Sequence, residues 1–128
     1  MSLIKDVADF HQQVLLQGRQ PCQLLDRIDT MDRLLFMYEE LTEFDEAMRQ
    51  DNLVGMADAL ADLVYVAIGT AYQMGLPFQE IWDAVQEANM TKQPGLTKRG
   101  MKIDAMKPDG WVGPESTIME LIKHVQAK

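Results

Sequence analysis

The chain has 128 residues, a formal net charge of −8 and one cysteine. That length fits a single domain, or one protomer of an oligomer. The charge argues against general nucleic-acid binding, which needs clustered Lys and Arg to neutralise phosphates, and the lone Cys22 leaves no disulfide framework and no CxxC zinc site. Met1-Ser-Leu-Ile-Lys lacks the basic start and apolar core of a signal peptide. The segment Leu63 to Met74 is too short, and too polar at its ends, to span a bilayer. The expectation is a soluble cytoplasmic protein with no nucleic-acid or membrane partner.

Leu3, Val7, Phe10, Val14 and Leu15 recur at helical spacing behind Ser2, a suitable N-cap, and Gly18 suits the C-terminal end. This predicts a first helix from Ser2 to about Gly18, with Arg19-Gln-Pro-Cys-Gln as a connector. A second helix is predicted from about Thr30 to Asn52, with Leu34, Leu35, Met37, Tyr38, Leu41, Phe44, Ala47 and Met48 as its apolar stripe. A third runs from about Leu53 to Gln73. It is apolar nearly all round, so it is expected to be central and largely buried. Gly75 closes it. Pro77 opens a fourth helix that ends near Thr91. Trp82 on that helix is expected in the core, and His11 and His124 on helix surfaces.

Beyond Thr91 the composition changes. Gln93-Pro94-Gly95 and Lys107-Pro108-Asp109-Gly110 are turn sequences, and the stretch between them reads as a short hairpin or an irregular lid. Lys92, Lys98, Arg99, Lys102 and Lys107 set five bases against one acid there. A last helix is predicted from about Pro114 to Gln126. The fold class is all-α: an antiparallel bundle of four to five helices. The chain reads as one domain over 1–128, with a basic arm at 92–113 and a C-terminal helix at 114–127.

Eight acids and one base lie between Glu39 and Asp62. Glu40 and Glu43 project within roughly 60° of one another on a helix, and Asp58 and Asp62 within roughly 40°. Glu39-Glu40-x-x-Glu43 alone reads as a solvated face, since Glu is a good helix former. Asp58 and Asp62 are the only charges in the apolar run from Leu53 to Met74. An unpaired buried carboxylate is costly, and a role at the helix N-terminus suits Asp58 better than Asp62. If the two helices pack antiparallel, four carboxylates converge, a donor set for hard cations such as Mg²⁺ or Mn²⁺. A di-iron bundle would need Glu-x-x-His, and neither acidic helix carries a His.

The residues Glu39-Glu40-x-x-Glu43, then Asp58-x-x-x-Asp62-Leu-Val-Tyr-Val, resemble the all-α nucleotide pyrophosphatases. That group holds the MazG-type enzymes, dimeric dUTPases and phosphoribosyl-ATP pyrophosphohydrolase. Asn89-Met-Thr-Lys92 resembles the Asn-x-x-Lys of many members, and Lys107-Pro-Asp-Gly-Trp111 is similar to the tail of a phage-like subset. The resemblance covers roughly Leu34 to Lys92. It implies Mg²⁺ on Glu40, Glu43 and Asp62, with Mn²⁺ as the alternative, and Glu39 orienting or deprotonating the attacking water. Asn89 and Lys92 would contact the nucleotide. The family pattern ExxD would put an acid at Ala59. Asp58, one residue earlier, is read as its replacement among the metal ligands.

The activity implied is Mg²⁺-dependent hydrolysis of a nucleoside triphosphate between the α- and β-phosphates, in control of the nucleotide pool. Phosphoribosyl-ATP hydrolysis in histidine synthesis is the alternative enzyme reading, and a non-catalytic helical binding module the reading from another class. Lys92, Lys98 or Arg99 would neutralise the leaving pyrophosphate, although a solvated loop explains Lys98, Arg99 and Lys102 better. Lys107 and Trp111 complete the candidate substrate contacts, Trp111 through stacking or an interface. The apolar third helix further predicts a homo-oligomer, either a dimer or a dimer of dimers.

Overall fold

The computed structural model describes residues 2–95 and 103–128. Among these the order is α1 (Leu3–Gln13), α2 (Arg27–Arg49), α3 (Leu53–Gln73), α4 (Phe78–Asn89), β1 (Gln93–Gly95), β2 (Asp104–Met106) and α5 (Glu115–Gln126). Among the described residues the fold is all-α apart from one small antiparallel hairpin. Lys98, Arg99 and Lys102 lie outside the described residues. The chain divides into two compact units, Met1–Leu76 and Pro77–Lys128.

In the first unit, side chains cap each helix start. The Ser2 Oγ accepts the Lys5 amide, Asp26 Oδ1 accepts the Asp29 amide, and Asn52 Oδ1 accepts the Gly55 amide. Each satisfies a donor that the first turn leaves free. The Asp26 cap starts α2 three residues earlier than Thr30. Between α2 and α3 the chain reverses within a few residues, with Asp51 in the left-handed region at φ 51°. A reversal this short sets the two long helices antiparallel.

Helix α3 packs mainly on α2 and also on α1. The buried side chains at these contacts are small: Ala47, Ala59 and Ala71, with Val7 and Ile68. Small residues let backbones approach closely. At Gly69 an added Cβ would lie 2.7 Å from His11 Nε2 and 2.8 Å from Arg33 Nη2. Gly75, at φ 64°, turns the chain where a Cβ would collide with the backbone of Gln20 and Pro21.

Three expectations are corrected here. His11 is buried, at 2 % exposure, not on a helix surface. Its Nδ1 lies 2.9 Å from Gln17 Oε1, and its ring is tilted against Tyr72 at 4.9 Å, so the polar group is satisfied inside. Helix α3 is not largely buried: Leu53, Val54, Leu60, Val64 and Tyr65 are exposed, as are Leu34, Leu35, Phe36 and Tyr38 on α2. Trp82 is 57 % exposed, outside the core. His124 is exposed, as expected.

In the second unit α4 packs on α5. Ile81 and Ala88 are its buried apolar side chains. Strand β1 pairs with β2 in the register Gln93 with Met106 and Gly95 with Asp104.

Candidate metal centre

The antiparallel register of α2 and α3 decides which acids meet. Arg33 lies level with Val66 and Thr70 near one end of the pair, through bonds of 3.0 Å. Ala47 lies level with Gly55 near the other. Glu40 and Glu43 fall between these levels, opposite Asp62. One carboxylate oxygen from each of Glu40, Glu43 and Asp62 lies within 4.8 Å of the others. Around an octahedral Mg²⁺ neighbouring ligands are about 3 Å apart and opposite ones about 4 Å, so the three oxygens would draw in to share one ion.

The electrostatics of the three carboxylates suit a cation. Glu40 Oε2 is buried without a hydrogen-bond partner, which is costly for a carboxylate. Burial pushes the Glu40 carboxyl up to about 7, helped by a hydrogen bond and charge from Glu43 and by the charges of Asp62 and Asp58. Burial, followed by the charges of Asp58 and Glu43, raises Asp62 as well. Carboxylates held this way favour either a proton or a metal.

Asp58 is exposed and outside the converging group, yet its charge acts on two of the three members. Glu39 is exposed. With Leu35, Tyr38, Thr42, Glu43 and Glu46 it lines an open concavity of about 440 Å³ on α2. Glu43 therefore belongs both to the converging carboxylates and to this concavity, with Glu39 beside it.

In the second unit, Asn89 is exposed at the end of α4. Lys92 Nζ lies 5.2 Å and Lys107 Nζ 5.1 Å from the centre of the Trp111 ring. The indole N–H donates to Thr91 Oγ1 at 2.8 Å and to the Ala88 carbonyl at 3.2 Å. Thr91 is a participant that the sequence reading passed over. Its place inside Asn89-Met-Thr-Lys92, at a helix end, was the available signal. The sequence also gave no sign of Arg33 as the cation that joins α2 to α3.

No curated protein matches the chain. The sequence profile of phosphoribosyl-ATP pyrophosphohydrolase matches residues 7–89, a stretch that holds both acidic helices and the Glu40, Glu43 and Asp62 group. The chain therefore belongs to the phosphoribosyl-ATP pyrophosphohydrolase family, within the MazG-like nucleotide pyrophosphatase superfamily, and is a hydrolase of phosphoric anhydride bonds.

Proposed function

We propose that the protein hydrolyses a nucleoside triphosphate between the α- and β-phosphates, giving a nucleoside monophosphate and pyrophosphate. The convergence of Glu40, Glu43 and Asp62 around a buried, unpartnered carboxylate oxygen carries this reading. An acidic site attracts an anionic substrate only through cations. Glu40, Glu43 and Asp62 would hold Mg²⁺, or Mn²⁺ in its place. Asp58, exposed and outside the converging three, adds negative charge and would hold an ion through water. The bound ion supplies charge neutralisation for the phosphates and a lower pKa for water.

The residues do the rest. Glu39, on the rim of the concavity beside Glu43, accepts a hydrogen bond from the attacking water and takes its proton. The water oxygen bonds to the α-phosphorus as the bond from that phosphorus to the bridging oxygen breaks, and pyrophosphate leaves with the electron pair. Asn89, Lys92, Lys107 and Trp111 contact the substrate. Lysine ammonium groups suit phosphate oxygens, and an indole suits a base or sugar face.

The exposed apolar side chains of α2 and α3 support a homodimer or a dimer of dimers, because patches of this kind are rarely left bare. Helix α3 is long and apolar enough to cross a membrane by length and composition. Asp58, Asp62 and its packing on α2 favour the core helix of a soluble, cytoplasmic assembly. The family match runs from α1 into α4, across both units, which supports treating the chain as one domain.

Phosphoribosyl-ATP is the second reading, favoured by the family's own description. Both substrates break the same anhydride bond. Family membership weighs against the non-catalytic binding module. Pyrophosphate release from separate NTPs, dNTPs and phosphoribosyl-ATP, assayed with Mg²⁺ and with Mn²⁺, tests the proposal. A preference for triphosphates supports it. Turnover of phosphoribosyl-ATP alone replaces it with the second reading.

A further inference from the structure

We propose that Lys92, Lys107 and Trp111 form an anion clamp that binds two linked phosphates without a metal ion. The choice of ligand rests on the pyrophosphate-releasing reading above. The geometry does not.

The hairpin register creates the clamp. Gln93 pairs with Met106 at the open end of the hairpin. Lys92 and Lys107 are the next residues outward and face each other across its mouth. Like charges placed opposite one another on paired strands repel. Neither ammonium has a carboxylate ion-pair partner among the described residues. Both lean instead on one indole, at 5.2 and 5.1 Å from its centre. The ammonium groups are therefore no more than about 10 Å apart.

The ring that holds them is itself fixed. Its N–H is tied to Thr91 and to the end of α4, and the Thr91 hydroxyl donates to the Ala88 carbonyl at 2.7 Å. Lys92 and Lys107 thus stay within about 10 Å of one another in spite of their repulsion, and each retains N–H donors. Cation–π contact offsets part of the repulsion. An anion bridging both ammonium groups offsets more, through charge-assisted hydrogen bonds. Two linked phosphates can bridge the ammonium groups at any separation up to that limit, whereas a single phosphate bridges them only at the shorter ones.

The ligand could be free pyrophosphate or the phosphate tail of the substrate. Calorimetric titration of the full-length protein in EDTA separates them, using inorganic pyrophosphate, a deoxynucleoside triphosphate, a nucleoside monophosphate and orthophosphate. In a Trp82→Phe background, Trp111 fluorescence reports the same site. Pyrophosphate is expected to bind at least about tenfold tighter than orthophosphate or monophosphate, and Lys92→Gln/Lys107→Gln to remove that advantage. Binding of pyrophosphate alone supports a product site, and binding of the triphosphate as well supports a site for the substrate tail. Equal affinity for pyrophosphate and orthophosphate overturns the clamp, as does unchanged affinity in the double variant. Hydrolysis by the wild type with Mg²⁺ is scored separately. Turnover without binding in EDTA removes the clamp and leaves the enzyme. Binding without turnover does the reverse.

Discussion

Arg33 on α2 reaches α3 to donate from Nε to the Thr70 hydroxyl at 3.0 Å, and from Nη2 to the Val66 carbonyl at 3.0 Å. Burial lowers the guanidinium's pKa. This bond pair helps to fix the register that sets Glu40 and Glu43 opposite Asp62. A double-mutant cycle on Arg33→Met and Thr70→Val is expected to give a coupling energy of about 0.5–1.5 kcal/mol in denaturant unfolding. Additive effects would show that the bond is not a stabilising link.

Gly69 lies where His11 and Arg33 converge on α3. A Cβ there meets His11 Nε2 at 2.7 Å and Arg33 Nη2 at 2.8 Å. His11 is buried and cannot swing into solvent. Gly69→Ala should destabilise the protein by about 1–3 kcal/mol in spite of alanine's better helix propensity. A thermal midpoint equal to or above wild type would contradict the close packing.

Glu40 makes stability depend on pH in a defined direction. Its carboxyl titrates at about 7 in the fold, against an ordinary value of 4.5. The folded state thus binds the proton more tightly than the unfolded state. Its stabilising contribution is complete below pH 4.5 and is lost as pH rises through 7. The raised Asp62 acts in the same sense. In EDTA the thermal midpoint should fall between pH 5 and pH 8, Mg²⁺ should restore it at pH 8, and Glu40→Gln should flatten the profile. A wild-type midpoint in EDTA that does not fall over that range would contradict the reading.

Asp58 and Asp62 should separate in kinetics. Asp62→Asn removes a converging oxygen and is expected to lower kcat/KM by about 100-fold or more. Asp58→Asn leaves the three converging oxygens in place. It removes a charge that raises Glu40 and Asp62, so it should cost about tenfold or less and raise the Mg²⁺ concentration needed. Equal losses in the two variants would make Asp58 a direct ligand.

How much of this was legible in the sequence depended on whether the signal was local. Helix α3 was, because Gly75 turns the chain after it and the run from Leu53 is apolar nearly throughout. Glu40 with Glu43 was, because their spacing alone sets them on one face. Which aspartate joins them was less so, since it follows from the α2–α3 register that Arg33 and Thr70 help to fix. The burial of His11 escaped notice because Gln17, which satisfies the imidazole, lies beyond the end of α1. The exposed face of α3 was legible only as an excess of apolar surface that predicts an oligomer, because apolar periodicity marks a surface to be covered without saying what covers it. The start of α2 was missed because Asp26, its cap, precedes the apolar stripe.

Steady-state pyrophosphate release over a Mg²⁺ titration, for wild type and Glu40→Gln, tests the metal centre most directly. The account predicts no release in EDTA, saturable activation of the wild type by Mg²⁺, and a loss of about 100-fold or more in Glu40→Gln. Release in EDTA, or a Glu40→Gln variant that matches wild type at every Mg²⁺ concentration, would contradict it.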